Sequence, residues 1–366
     1  MLINKNHKKD RGILFFQYDT ALGSVMNATP VFEVLRRERP NAFIGVVAGP
    51  LAYEVLKLNP YIDKIYKSPC IHSATFRALL FILIRMPLLS YYYHYGVSDS
   101  FNRRAIITLA QLLSGVRKKT GYSNKPWLMA HTIQVSKLHE ERIRHSVIED
   151  NLKVLEVFDI QSKPVEPSMF FKKSKSFWTL NEKKARVVIA SRCGDINHPK
   201  SWYSERFIAV AEYLSLQYSA YFAFVGTDSD HSAIEDIRSK ANILSMNLAG
   251  KTSVSELAQV LCESDILLTI DTGVVHLARG VGLPMLVLAS AWHDPKPWLS
   301  VGVPTVKVIQ KLDVPCALCW KNHCDTRECM QEISVDEVCS SLDSLLDEYP
   351  PSTLARKQRM TRCVQH

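Results

Sequence analysis

The 366-residue chain lacks any apolar run long enough to cross a bilayer. Its most apolar stretch, Phe76–Leu89, is interrupted by Arg77, Arg85 and Pro87. It also lacks the apolar core of a secretory leader, because Ile13–Phe16 is short and runs into Asp19. These absences exclude a polytopic membrane protein and predict a cytoplasmic chain. Thiols stay reduced there, so nine cysteines need not form a disulfide framework. Compositional extremes are missing as well. Apolar types make up 47% and charged types 22%, which excludes a mostly disordered chain. The central body has little net charge of either sign. Lys5, Lys8, Lys9 and Arg11 against Asp10 give the first eleven residues +3, and Arg356, Lys357, Arg359 and Arg362 give residues 351–366 +4. Of a formal +9, only about +2 is left for the body, which argues against a basic nucleic-acid groove. The tails either attract an anionic surface such as a membrane or a phosphorylated glycolipid, or are solvated ends.

What is present is alternation. Gly12–Tyr18, Ala42–Val47, Ile62–Tyr66, Tyr92–Val97 and a segment near Thr120 read as strands. Helical patterns at Met26–Arg37, Leu51–Leu58 and His139–Phe158 lie between or after them. Residues 161–184, with two prolines and many lysines, break the pattern. The alternation restarts with strands at Val187–Ser191, Tyr221–Val225, Ile266–Ile270, Met285–Leu288 and Val306–Ile309. Helices are expected at Ser204–Ser219, Asp230–Ala241, Ser253–Cys262 and Val335–Glu348. Two βα series predict an α/β chain with two doubly wound parallel sheets. We expect domains at 1–170 and 171–350 and a basic tail at 351–366. Ligands bind such sheets at the carboxyl ends of the strands, hence in a cleft between two facing sheets. Phe76–Leu89 reads either as a buried helix or as one lying in a membrane interface with arginines at its rim.

Three segments carry chemistry. Strand Ile266–Ile270 ends at Asp271-Thr272-Gly273, and a helix with His276 in its first turns follows at once. A glycine at that entrance lets a ligand approach, and free helix N–H groups suit a phosphate. Read alone, the same residues are equally an N-cap aspartate and a core histidine. Lys200 in Lys200-Ser201-Trp202 is either a phosphate contact or a solvated loop charge. Cys316, Cys319, Cys324 and Cys329, with His323 beside them, have the spacing C-x2-C-x4-C-x4-C. Four soft ligands can wrap a structural Zn or Fe ion, or the four can be reduced thiols. A closed set of this kind would leave no open position for catalysis.

The block D-T-G-x-x-H-x-A-x-x-x-G-x-P, then D-P-x-x-W, resembles the donor-binding motif of glycosyltransferase family 9, the lipopolysaccharide heptosyltransferases. The opening ILFFQYDTALGSVMNATPVFEVLRRERP resembles that family's first strand, glycine loop and T-P helix, and residues 182–207 resemble its strand and K-x-W element. The resemblance implies a GT-B fold, two Rossmann-like domains facing a cleft. It implies an inverting transfer of heptose or a related sugar from an ADP-sugar to an inner-core lipopolysaccharide acceptor, with no metal. It assigns Lys200 to the donor phosphates and as a candidate catalytic group. Thr272, Gly273 and His276 match donor contacts, Asp271 the sugar-binding aspartate, Asp228 a ribose contact, and Ser191 is a further phosphate ligand.

Two features depart from the family pattern. Its glycine loop reads Gly-Asp, with the aspartate as general base, whereas Gly23-Ser24 stands here. A serine needs an activating partner to act as a base. Asp19 is the replacement candidate, with His94 or Asp99 as alternatives. The cysteine cluster is the second. The sequence therefore leaves an enzyme peripheral to the cytoplasmic face of the inner membrane, or a catalytically impaired relative that binds a nucleotide-sugar or glycolipid. A zinc-knuckle nucleic-acid binder is disfavoured by the near-neutral body.

Overall fold

The computed structural model describes residues 12–71, 75–89, 92–98, 105–120, 146–179, 184–191, 198–299, 302–321 and 323–365. The chain divides into two compact units, residues 1–170 and 171–366. Residues 1–11, which hold the N-terminal basic cluster, lie outside the described residues, as does Asp99.

The first unit is a parallel sheet in the order β3-β2-β1-β4-β5. Its strands are β1 (Gly12–Gln17), β2 (Ile44–Ala48), β3 (Lys64–Lys67), β4 (Tyr93–Ser98) and β5 (Lys118–Thr120). Every residue of β1 is buried, as expected for a central strand covered on both faces. Helices α1 (Leu22–Glu38), α2 (Pro50–Leu56), α3 (Thr75–Leu89), α4 (Ala105–Leu113) and α5 (Val147–Leu152) complete the unit. Pro30 lies inside α1 and has no N–H for the carbonyl of Met26. The Thr29 hydroxyl donates to that carbonyl at 2.8 Å, and Asn151 donates to the carbonyl of Asn27 at 3.1 Å, pinning α5 to the break. The glycine loop expected at Gly23-Ser24 is not a loop. Both residues are buried in the first turn of α1, and the connection itself is Tyr18–Ala21.

Helix α3 has two apolar faces in different surroundings. Ala78, Ile82, Met86 and Leu89 are buried on one face. Phe76, Leu80, Leu83, Ile84 and Leu88 stand exposed on the other, with Phe76 78% accessible. Arg77 and Arg85 are exposed beside them.

The second unit is a six-stranded parallel sheet, β11-β10-β9-β6-β7-β8. Its strands are β6 (Arg186–Ala190), β7 (Tyr221–Phe224), β8 (Ser245–Asn247), β9 (Ile266–Ile270), β10 (Met285–Ala289) and β11 (Val306–Gln310). Strands β9 and β10 are buried throughout, the mark of a sheet covered on both faces. The helices are α6 (Ser204–Tyr218), α7 (His231–Lys240), α8 (Val254–Cys262), α9 (Gly273–Val281), α10 (Lys296–Leu299), α11 (Glu328–Gln331), α12 (Val335–Glu348) and α13 (Thr353–Cys363). Chain order reverses between β6 and β9, so the carboxyl ends of those two strands form the switch point where doubly wound sheets bind ligands.

Residues 351–366 are not the free basic tail read from the sequence. Arg356 is buried and forms a two-pronged pair with Asp265, Nε to Oδ1 at 2.8 Å and Nη2 to Oδ2 at 3.0 Å. Arg359 donates to the carbonyls of Cys262 and Ser264. Phe171 and Gln365 complete the closure, with the Phe171 N–H donating to the Cys363 carbonyl at 3.0 Å and the Gln365 N–H to the Phe171 carbonyl at 2.9 Å. Counting charges missed these partners. Breaking one side of a buried ion pair strands the other, which costs about 3–5 kcal/mol. Arg356→Ala should lower the unfolding free energy by about that amount in a urea titration, whereas Lys357→Ala, an exposed neighbour, should change it by less than about 0.5 kcal/mol.

Candidate functional site

The carboxyl ends of β6 and β9 bring Ser191 and Asp271 to the switch point, since Ala190 and Thr269 are paired in register just before them. Asp271 is buried, with only 8% of its surface accessible. The Lys200 ammonium donates to its Oδ2 at 2.6 Å, and the His293 Nε2 lies 3.3 Å from the same oxygen. Burial alone would raise the Asp271 carboxyl. The His293 hydrogen bond and the Lys200 charge outweigh it and hold the group well below the usual carboxylate range. Asp271 is therefore a fixed anion.

Helix α9 begins one residue beyond. Its N-cap is Thr272, not Asp271, so the N-cap reading of Asp271 fails. The Thr272 side chain makes no capping bond, and no acid stands in the first turn. The Oγ atoms of Ser191 and Thr272 are buried without hydrogen-bond partners. Two hydroxyls unpaired among the described residues, a helix N-terminus at Gly273 without a side-chain cap and an ammonium 2.6 Å from Asp271 therefore stand at this end of the second sheet. His276 is buried in α9, its ring edge-on to Trp298 with centroids 6.0 Å apart. Burial, then Arg279 and Lys200, push its ring down to about 4 against the pull of Asp271.

Asp228 follows β7 on one side of the switch point. It is exposed, and the turn it opens is held by Asp230, whose Oδ2 accepts from the Thr227 N–H at 2.8 Å and hydroxyl at 2.6 Å. The turn therefore does not consume the Asp228 carboxylate. Gly250, at φ +71°, packs so closely on Asp228 that a Cβ there would lie 2.8 Å from its Cα.

On the other side, beyond β10, stand groups that the sequence reading did not single out. Trp292 lies under the Lys200 ammonium, 5.3 Å from its ring centroid, and its Nε1 is buried without a partner. Trp320 faces Trp292 and His293 at 5.6 and 5.7 Å. The legible signal was Trp292-His293 directly after a buried strand, the position where this fold class places ligand contacts.

In the first unit, Asp19 lies two residues beyond β1, next to the β1/β4 reversal. Its Oδ2 is buried without a partner, and burial pushes the carboxyl up to about 6. His94 does not compete for that role. It sits at the amino end of β4, level with Gly12, roughly 20 Å from Asp19 at ~3.3 Å per residue.

The four cysteines Cys316, Cys319, Cys324 and Cys329 are free thiols. Among the described residues, no three His, Cys, Asp or Glu side chains are placed to hold a metal ion. Among the described residues, the spacing alone does not bring the four thiols into such a set. Cys329 is buried in α11, whereas Cys316, Cys319 and Cys324 are half-buried on the preceding loop.

Comparison with known proteins places this geometry in a family. A profile of glycosyltransferase family 9 (heptosyltransferase) matches residues 105–329. No curated protein matches the chain in sequence. Among solved structures, a family 9 glycosyl transferase from Veillonella parvula is 18% identical, with TM-score 0.78 over 93% of this chain and 98% of its own. The E. coli ADP-heptose lipopolysaccharide heptosyltransferase II is 16% identical, with TM-score 0.71 over 92% and 99%. E. coli heptosyltransferase WaaC with ADP is 10% identical, with TM-score 0.66 over 91% and 99%. The two α/β units are of the GT-B type, and the protein is a glycosyltransferase. More particularly, the chain belongs to family 9, the heptosyltransferases.

A neutral, buried His276 gives a direct check on the electrostatics of the site. Imidazole nitrogen shifts should show a ring that stays neutral at physiological pH and protonates only near pH 4. Half-titration close to the ordinary 6.5 would contradict the burial.

Proposed function

We propose that the protein is an inverting, metal-independent transferase. It moves heptose or a related sugar from an ADP-sugar to an inner-core lipopolysaccharide acceptor at the cytoplasmic face of the inner membrane. The observation that carries this reading is the anion site at the end of β9, where Lys200, the hydroxyls of Ser191 and Thr272 and the start of α9 fit a pyrophosphate. Asp228 fits the ribose, and Asp271 the hydroxyls of the sugar. The ligands of the neighbours, ADP with WaaC and ADP-2-deoxy-2-fluoro heptose with the same enzyme, support an ADP-sugar donor.

The chemistry needs a base and a leaving-group stabiliser. Asp19 is the base. A half-buried carboxylate raised to about 6 is mostly ionised near neutral pH, yet a better proton acceptor than an ordinary aspartate. It takes the proton of the acceptor hydroxyl as that oxygen bonds to the anomeric carbon. The bond from that carbon to the donor phosphate breaks, and Lys200 and the α9 N-terminus receive the departing charge. No step is routed through a metal at the cysteines. With Asp19 available, the missing Gly-Asp aspartate no longer favours a protein that binds without turnover.

Incubation with ADP-heptose and a truncated acceptor tests this reading. Lys200→Ala should lower kcat/KM about 10²–10³-fold, the scale of losing one transition-state donor. Because the base must be ionised, the wild-type rate should fall as pH drops through about 6. Asp19→Asn should abolish turnover while ADP still binds. Full rates in both variants would remove the assignment.

The membrane part of the proposal is supported by α3. Its outer stripe Phe76, Leu80, Leu83, Ile84 and Leu88 is apolar, Arg77 and Arg85 flank it, and the helix has no acidic residue. At 1.5 Å per residue it is about 22 Å long, suited to lying in the headgroup region rather than spanning the bilayer. No helix among the described residues is long and apolar enough to cross a membrane. A second copy docking there would bring like-charged arginines together, whereas anionic headgroups complement them. Leu83→Glu with Ile84→Glu should abolish co-sedimentation with phosphatidylglycerol vesicles and leave ADP binding unchanged. Undiminished sedimentation would remove α3 as the docking face.

A further inference from the structure

The loop after β11 is bent onto the ligand-binding end of the second sheet by backbone that disfavours its own residues. Leu318 and Trp320 have φ of +57° and +52°, the left-handed region that bulky residues avoid. Two hydrogen bonds hold them there. The Leu318 N–H donates to the Ala291 carbonyl at 2.6 Å, and the Trp320 N–H to the Trp292 carbonyl at 3.2 Å. The result is a tryptophan ring 65% open to solvent, beside a buried ion pair. Strain retained to expose an apolar ring suggests use at a ligand site.

The ring does not stand alone. Trp320 meets His293 with centroids 5.7 Å apart and planes 32° apart, and Trp292 at 5.6 Å and 54°. The His293 Nε2 is 3.3 Å from Asp271 Oδ2, and its Nδ1 lies 2.8 Å from the Asp294 carbonyl. The Trp292 Nε1 is a buried donor with no acceptor among the described residues. The patch therefore combines an open aromatic face with an unused N–H donor.

Strand order decides what would lie there. Asp228 follows β7, on one side of the β6/β9 switch point, and the aromatic patch follows β10 on the other. A nucleotide-sugar whose pyrophosphate sits on Thr272 and Gly273 and whose ribose reaches Asp228 extends its glycosyl group toward β10. A pyranose offers a face of polarised C–H bonds to the electron-rich face of an indole, and hydroxyls at its rim to donors. We infer that Trp320, Trp292 and His293 form the platform for the sugar moiety of the nucleotide-sugar. The sugar packs on Trp320, and a hydroxyl accepts from Trp292 Nε1. This inference rests on the nucleotide-sugar reading of the anion site.

Calorimetric titration with ADP and with ADP-heptose separates the two. In the wild type, ADP-heptose should bind more tightly than ADP. Trp320→Ala, a truncation of an exposed ring, should lower ADP-heptose affinity at least about tenfold and change ADP affinity less than twofold. Trp320→Tyr should recover most of the loss, because it keeps an aromatic face. The same split should appear as a raised donor KM with a smaller change in kcat. If Trp320→Ala weakens both ligands equally, or neither, the platform is wrong while the anion site stands. If the wild type binds neither ligand, the nucleotide-sugar reading fails and the platform with it.

Discussion

Asp271 is an ionised carboxylate taken out of water at the carboxyl end of β9, and the surroundings of that strand end answer its cost. The Lys200 ammonium, brought from the loop before α6, supplies the nearest compensating charge. His293, brought from the loop after β10, supplies a second donor. The other ring nitrogen, Nδ1, lies 2.8 Å from the Asp294 carbonyl oxygen, so the ring is held from both sides. The anion keeps both donors in place at the strand end. A fixed lysine needs less reorganisation when a phosphate arrives than a solvated one. The carboxylate thus fixes the position of the lysine on which the proposed donor site depends.

The two aspartates assigned to chemistry differ by environment rather than by residue type. Asp271 is buried with donors, and its proton is lost far below neutrality. Asp19 is half-buried, with its Oδ2 buried and unpartnered among the described residues, and desolvation raises the carboxyl to about 6. Such separation is what the proposed division of tasks needs, one aspartate as a permanent anion and one as a proton acceptor. The position of Asp19, in a short connection between a buried strand and an uncapped helix, explains the absent partner. The α1 N-cap is Ala21, which offers no side-chain hydrogen bond.

Much of the fold was legible because parallel strands buried on both faces write themselves as apolar runs. Ile266–Ile270 and Val335–Glu348 appear with the bounds read from the sequence. Asp271-Thr272-Gly273 was legible because a strand end, a glycine and a helix start occur in consecutive residues. What was not legible depends on long-range pairing. Asp265 and Arg356 lie 91 residues apart, and nothing local marks either as the other's partner. The cysteine spacing suggested a metal, but spacing alone does not orient thiols. The loop that carries them is directed by Leu318 and Trp320 bonding to the backbone of residues 291–292. Gly23 was read as a loop residue because the resemblance to family 9 places a glycine loop there. In the first turn the helical cost of glycine is tolerated, and the residue is helical.

The burial of Arg356 also relocates the electrostatics. Charge counting placed +4 in residues 351–366 and left the body nearly neutral. Two of those cations, Arg356 and Arg359, are committed to Asp265 and to carbonyls of the second unit. A cation whose field is cancelled by a buried partner attracts little from solution. This segment therefore offers less free positive charge than sequence counting gave it. The arginines of α3 differ in the relevant respect. They are exposed, the helix has no acid to cancel them, and they flank apolar side chains that gain by leaving water. Net charge alone does not decide which surface an anion meets; the positions of the counter-charges do.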